Sequence, residues 1–144
     1  MSPEPAAPLG AAVDPGHLKC GLAALAPDGT VVLRQVLPPA QLPAALAGLA
    51  DSGRLAWVVV GDGTRSAETL AAVRTAVAPV PVLRRDETGT SLLGRARYWR
   101  EHPPKGLWRL IPTSLRLPPE PFDDWVAVIL AERYLAELAA ARSM

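Results

Sequence analysis

The chain contains a single cysteine, Cys20. A lone thiol closes no disulfide within the chain and builds no cysteine zinc cluster. Long apolar runs are missing too: no stretch approaches the ~20 residues of a membrane span. The opening MSPEPAAPLG carries Pro and Glu where a secretory signal would carry positive charge and a long apolar run. A cytoplasmic protein is the expectation. Phe and Tyr are scarce, with one and two copies in 144 residues. The apolar share is still 49%, much of it Ala, Leu and Val. Such a core packs small side chains, which suits helices lying close on a sheet. Charge of one sign is lacking as well, since 15 Lys and Arg face 14 Asp and Glu, a net charge of +1. That balance names no partner. The distribution says more. Arg84, Arg85, Arg95, Arg97, Arg100, Lys105, Arg109 and Arg116 crowd one third of the chain, opposed there only by Asp86, Glu87 and Glu101.

The length suits one domain with a real core. Residues 1–9 are Pro-rich and read as a flexible N-terminus. Residues 10–144 read as a single domain without internal repeats. LGAAV runs into Asp14-Pro15-Gly16, a short strand feeding a turn. Two strand-like runs then flank Pro27-Asp28-Gly29-Thr30, a hairpin signal. The first three elements form an antiparallel meander. Leu42, Leu46 and Leu49 stand at helical spacing, with prolines at the start and Gly53 at the end. LAWVVVGDG is a continuous apolar run and reads as a strand buried on both faces. A helix follows with Leu70, Val73 and Val77 on one stripe, capped by Thr64 or Ser66. PVPVLRRDETGT supplies another strand and residues 92–101 another helix. Prolines deny regular structure to HPPKGLWRLIPTSLRLPPEPF. A long helix closes the chain, opened by Asp123 and Asp124, which favour its macrodipole. Strands alternating with helices imply a parallel half to a mixed sheet, hence an α/β fold.

Acids stand at element ends: Asp14 after the first strand, Asp86 and Glu87 after the last, Asp123 and Asp124 at the final helix. Each has a plain reading, as a turn residue, a solvated strand end or helix-opening acids. Together they read differently. Open α/β sheets bind ligands at the carboxyl ends of their strands. Carboxylates converging there need a counter-charge, and hard Mg²⁺ or Mn²⁺ takes oxygen ligands. Two such ions can activate water and steady the leaving oxygen of a phosphodiester. The arginine-rich segment would hold the nucleic-acid backbone.

These elements and acids resemble the ribonuclease H-like superfamily, and within it the RuvC-like YqgF (RuvX) proteins. Those proteins are described as Holliday junction resolvases or pre-ribosomal RNA processing nucleases. The family's first strand ends Asp-x-Gly, with a Lys and a Gly following. VDPGHLKCGLA keeps Asp14, Gly16, Lys19 and Gly21. The family's late strand ends Asp-Glu-Arg-x-Thr-Thr. DETGTS keeps Asp86, Glu87 and Thr90, has Ser91, and puts Thr88 at the Arg position. The closing DDWVAVILAERYL has the family's form, and counting back from Tyr134 places the helix Asp on Asp123, with Asp124 one residue off. The family's Gly-Leu-Pro after the middle strand is Gly61-Asp62-Gly63 here, and its short basic link is a Pro- and Trp-rich segment.

The resemblance implies a ribonuclease H-like fold with a mixed five-stranded sheet. It also implies a divalent-metal-dependent nuclease using Mg²⁺ or Mn²⁺. Asp14, Glu87 and Asp123 or Asp124 would be the catalytic, metal-binding acids. Lys19 would touch phosphate. Arg95, Arg97, Arg100, Lys105 and Arg109 are the candidate contacts to branched DNA or structured RNA, including pre-16S ribosomal RNA. Homodimerisation would suit a resolvase that cuts two strands symmetrically.

Other residues have weaker claims. His17 either ligates a metal, shuttles a proton or is a polar turn residue, and His102 has no acid at metal spacing. Cys20 reads as a small buried hydrophobe. Trp99 and Trp108 interleave with cations, so they either stack bases or pin the loop on the closing helix. Asp62 either approaches the substrate or a second ion, or simply turns the chain. Two other functions fit the pattern less well. A non-catalytic nucleic-acid-binding relative would not need all three acidic positions. A sugar-kinase-like phosphate-binding fold would need two copies of the domain.

Overall fold

The computed structural model describes residues 7–63, 65–103, 105–112 and 118–143, and only the backbone of Trp108. Thr64, Arg116 and the Trp108 side chain, all weighed above, lie outside the described residues.

The first strand, β1 (Leu9–Asp14), pairs antiparallel with β2 (Cys20–Leu25), which pairs antiparallel with β3 (Val31–Leu37). The β2–β3 hairpin closes on Asp28, whose carboxylate accepts the Thr30 amide at 2.9 Å, and on Gly29, whose φ of +92° favours glycine. A 3-10 turn leads into α1 (Leu42–Asp51). Next come β4 (Leu55–Gly61), α2 (Ser66–Val77) and β5 (Val82–Arg85). The chain ends with α3 (Thr90–Glu101) and α4 (Asp123–Arg142). The sheet order is β3-β2-β1-β4-β5, with β1, β4 and β5 parallel. The expected meander and parallel half are both present. Leu9, at the edge of the expected N-terminal segment, opens β1 and is buried.

Alternation along the strands sorts the core into two faces. Ala11, Val13, Leu22, Val58 and Val60 face α1 and α2, where they meet Leu42, Leu46, Val73 and Val77. Ala12, Ala23, Leu25 and Val59 face α4. The alanines on that face let α4 approach closely. Trp125 through Ala131 are seven consecutive buried residues of α4, because the sheet covers one side of the helix and α3 another. At Gly94 a β-carbon would stand 2.7 Å from Val126 Cγ2 and 3.0 Å from its backbone nitrogen. Close helix approach, not φ, demands that glycine. The edge strands carry polar residues: β3 alternates around Arg34, and β5 ends in Arg84 and Arg85. Such edges resist pairing with other chains.

Two local expectations need correction. Ser66 is the first helical residue of α2 and not its cap; the capping position is Arg65, in the left-handed region at φ +65° with no side-chain cap bond. The Pro-rich segment is not wholly irregular, since Gly106–Leu110 forms a 3-10 turn. Among the described residues no helix is long and apolar enough to cross a membrane.

Candidate active site

Because β1, β4 and β5 run parallel, their carboxyl ends share one edge of the sheet. Asp14 closes β1, Gly61 closes β4, and Glu87 stands two residues past Arg85. The first turn of α4 reaches the same edge. Gly21, paired with Asp14 across β1 and β2, lies so close that a β-carbon there would collide with the Asp123 carbonyl. Strand ends and a helix start thus bring three acids to one place.

Asp14 is the centre of this group. Burial, then the charges of Glu87 and Asp123, push its carboxyl up to about 8. Burial, then the charge of Asp62, raises Glu87. Burial raises Asp123 as well, the Asp124 charge adding to it and Lys19 opposing it. An acidic cluster without a counter-ion behaves this way: repulsion and lost hydration both favour the protonated form.

Glu87 is held firmly. Its amide donates to Asp62 Oδ1 at 3.2 Å. Its carbonyl accepts the Thr90 amide at 3.0 Å and the Thr90 hydroxyl at 2.6 Å. Its carboxylate lies over the end of β4, where a β-carbon on Gly61 or Gly63 would collide with it. Oε2 is buried and lacks a hydrogen-bond partner among the described residues. The Glu87 carboxylate also shares a hydrogen bond with the Asp14 carboxyl, which raises Asp14 further and holds Glu87 down, so a proton on Asp14 or a bound cation can meet this buried charge.

The two helix acids differ in role. Asp123 faces Asp14, whereas Asp124 is buried and turned toward β3. Asp124 Oδ2 stands 2.5 Å from Arg34 Nη1, and Oδ1 accepts the Trp125 amide at 2.9 Å. The Arg34 guanidinium lies 4.0 Å over the Trp125 ring. Asp124 therefore anchors α4 to β3. Replacing Arg34 with Ala leaves this carboxylate buried and unpaired. We expect a loss of about 2 kcal/mol, below the ~3–5 of a fully buried pair because Arg34 is partly hydrated. Urea unfolding checks it: an unchanged midpoint would mean the pair is idle.

Asp86 is exposed and accepts both the Thr88 amide (2.9 Å) and hydroxyl (2.6 Å), bonds that lower its pKa. It shapes the turn that presents Glu87. Arg133 straps the same turn from α4, donating to Thr88 O at 2.8 Å and Asp86 O at 3.5 Å. The sequence reading missed Arg133 and the hold of Asp62 on Glu87. The signals were Thr88 in place of an expected Arg, and the glycines flanking Asp62.

The cations divide similarly. Lys19, Arg100, Lys105 and Arg109 are exposed. Arg97 is largely buried and grips Glu132 with bonds of 2.5 and 2.7 Å, so its charge is matched within the fold. Arg95 is half-buried on α3. His17 is exposed, and the His102 ring stacks on Tyr98 at 4.5 Å. Cys20 is buried as expected; burial, then the charges of Asp14 and Asp123, push its thiol up to about 11. It is no nucleophile near neutral pH. Trp99 is half-buried against the α4-side core, edge-on to Tyr98 at 5.2 Å.

Among the described residues no three Asp, Glu, His or Cys side chains form a ready-made cation cage. The donor set still fits a hard cation, being all oxygen, short of positive charge and carrying the orphaned Glu87 Oε2. Asp14, Glu87 and Asp123 are each half-buried at this sheet edge. An apolar cavity of about 380 Å³ sits apart from it, between Leu9, Leu25, Trp57 and Leu138.

The chain's fold is similar to that of solved RuvC structures. One is Thermus thermophilus RuvC in complex with Holliday junction substrate: 18% identity, TM-score 0.55, covering 92% of this chain and 96% of that one. Another is Thermus thermophilus RuvC: 18% identity, TM-score 0.53, covering 89% and 96%. Neither a protein-family model nor a curated protein sequence matches the chain. The mixed five-stranded sheet and its flanking helices form a ribonuclease H-like α/β fold.

Proposed function

We propose that the chain is a divalent-cation-dependent nuclease of the RuvC-like kind, with the motifs of the YqgF (RuvX) branch. The observation that carries the reading is the carboxyl cluster centred on Asp14, with Glu87 and Asp123 on either side. Asp14 would bridge or hold the cations, and Glu87 and Asp123 would complete the shell. Bound Mg²⁺ or Mn²⁺ would lower the pKa of a water and offset charge on the phosphate. The three carboxyls must lose their protons to serve, so binding is stronger at higher pH. Glu87 is pre-positioned by its backbone bonds, and Asp123 by the close seat of α4 on Gly21.

The substrate class proposed is branched DNA or structured RNA, pre-16S ribosomal RNA included. A structure similar in fold holds Holliday junction substrate. A homodimer would place two such sites on the two strands of a junction. The test incubates the protein with four-way DNA junctions and with precursor ribosomal RNA, each with Mg²⁺, Mn²⁺ or chelator. Cleavage of neither substrate with either ion would overturn the reading.

A second reading, a non-catalytic nucleic-acid binder, draws on the missing ready-made cage. Calorimetric Mn²⁺ titration separates the two: the nuclease binds the ion, and the binder does not.

Lys19, Arg100, Lys105 and Arg109, all exposed, are the proposed phosphate contacts. Arg97 is left out because Glu132 already matches it. Replacing Arg100, Lys105 and Arg109 with Ala is expected to weaken binding to all sequences alike. The slope of log affinity against log salt should flatten by roughly 0.9 per lost contact on duplex DNA. An unchanged slope would place the nucleic acid elsewhere.

A further inference from the structure

Glu87 lies beyond the end of β5, on a turn with no regular ladder to fix it. Something else must hold its carboxylate toward Asp14. Its carbonyl is fixed by Thr90 from its own chain direction. Its amide is fixed from another element, by the Asp62 carboxylate at the end of β4. Asp62 is itself tied down, since its amide donates to Arg85 O at 3.0 Å. Two bonds therefore cross between the β4 and β5 ends, one in each direction. On either side of Asp62, Gly61 and Gly63 leave the space that the Glu87 carboxylate fills.

We infer that Asp62 is a positioning residue that sets Glu87 through its backbone amide. The inference rests on the nuclease reading for its purpose, though not for its geometry. Positioning uses one oxygen of Asp62 as an acceptor. An Asn oxygen can accept the same bond, so charge is not required for it. The charge in fact opposes the work, because it disfavours ionised Glu87. A residue needed as a direct cation ligand would behave differently, since replacing a carboxylate by an amide weakens a hard-cation site. Gly63 serves the same end by staying small: a β-carbon there would collide with the Glu87 carboxylate.

The test compares Asp62→Asn, Asp62→Ala and Gly63→Ala in the full chain, with two readouts. The first is hydrogen exchange of the Glu87 amide by NMR, without added metal. Exchange should speed up by about tenfold in Asp62→Ala, as expected for loss of one local bond. It should change little in Asp62→Asn. The second is Mn²⁺ affinity by calorimetry. Asp62→Ala and Gly63→Ala should weaken it by roughly 10- to 100-fold, as losing an orienting partner does, and Asp62→Asn by less than about threefold on the same scale. Unchanged Glu87 exchange in Asp62→Ala would overturn the inference. So would Asp62→Asn losing as much affinity as Asp62→Ala, which would make Asp62 a ligand. A parent protein that binds no Mn²⁺ would overturn the nuclease reading alone, and the exchange data would still decide whether Asp62 holds Glu87.

Discussion

Asp14→Asn is expected to cut metal-dependent cleavage by on the order of 10³-fold or more, while making the metal-free protein more stable. The two effects share one cause. The Asp14 carboxyl is raised to about 8 by burial and by the charges of Glu87 and Asp123. A carboxyl with a folded pKa above its unfolded value binds its proton more tightly in the folded state. Its contribution to stability is complete below the unfolded value near 3.8 and is lost as pH rises through about 8. The metal-free parent should therefore weaken between those limits, and the Asn variant should weaken less. At neutral pH the variant should be more stable by about 2 kcal/mol, after allowing for water in the half-buried site. Near pH 4 the gap should close. Added Mn²⁺ should stabilise the parent, more strongly at higher pH, and should barely move the variant. Thermal unfolding across pH, with and without the ion, gives all of these. A variant that cleaves like the parent would reduce Asp14 to a turn residue.

The residues legible before folding were those whose chemistry is local. The strands β1 and β4 are continuous apolar runs because both faces are covered, and the hairpin has its Asp-Gly turn. The gathering of Asp14 and Glu87 could be inferred because parallel strands end on one edge. Which helix acid joins them could not, since Asp123 and Asp124 differ only in side-chain direction. Arg34, far off in sequence, shows where Asp124 goes. Arg97 illustrates the same limit. A cation in a basic run looks available for phosphate until a partner such as Glu132 arrives from another helix. The sequence leaves Asp62 open between a site residue and a plain turn, because its partner is a backbone amide, which no side-chain pattern reveals.

Gly21→Ala is expected to be among the most disruptive single-methyl changes in the chain. Gly21 is central in the sheet, opposite Asp14, and its φ is not in the left-handed region. Backbone strain is therefore not the reason. The added β-carbon would collide with the Asp123 carbonyl and reach 2.9 Å from the Asp124 nitrogen. Those are main-chain atoms of a buried helix turn, and no rotamer change relieves them. Either β2 or the start of α4 must shift. A cost of about 3 kcal/mol follows, at the upper end for overpacking. The shift also moves Asp123 from Asp14 and strains the Asp124–Arg34 pair, so Mn²⁺ affinity should fall together with stability. Gly48 is the matched control. It lies inside α1 with nothing within 4 Å of a β-carbon, and Gly48→Ala should stabilise by roughly 0.5–1 kcal/mol through helix propensity. Urea midpoints of the two variants should move in opposite directions. If Gly21→Ala unfolds with the parent, the helix start is free to move, and the close seat of Asp123 on β2 cannot be what sets the site.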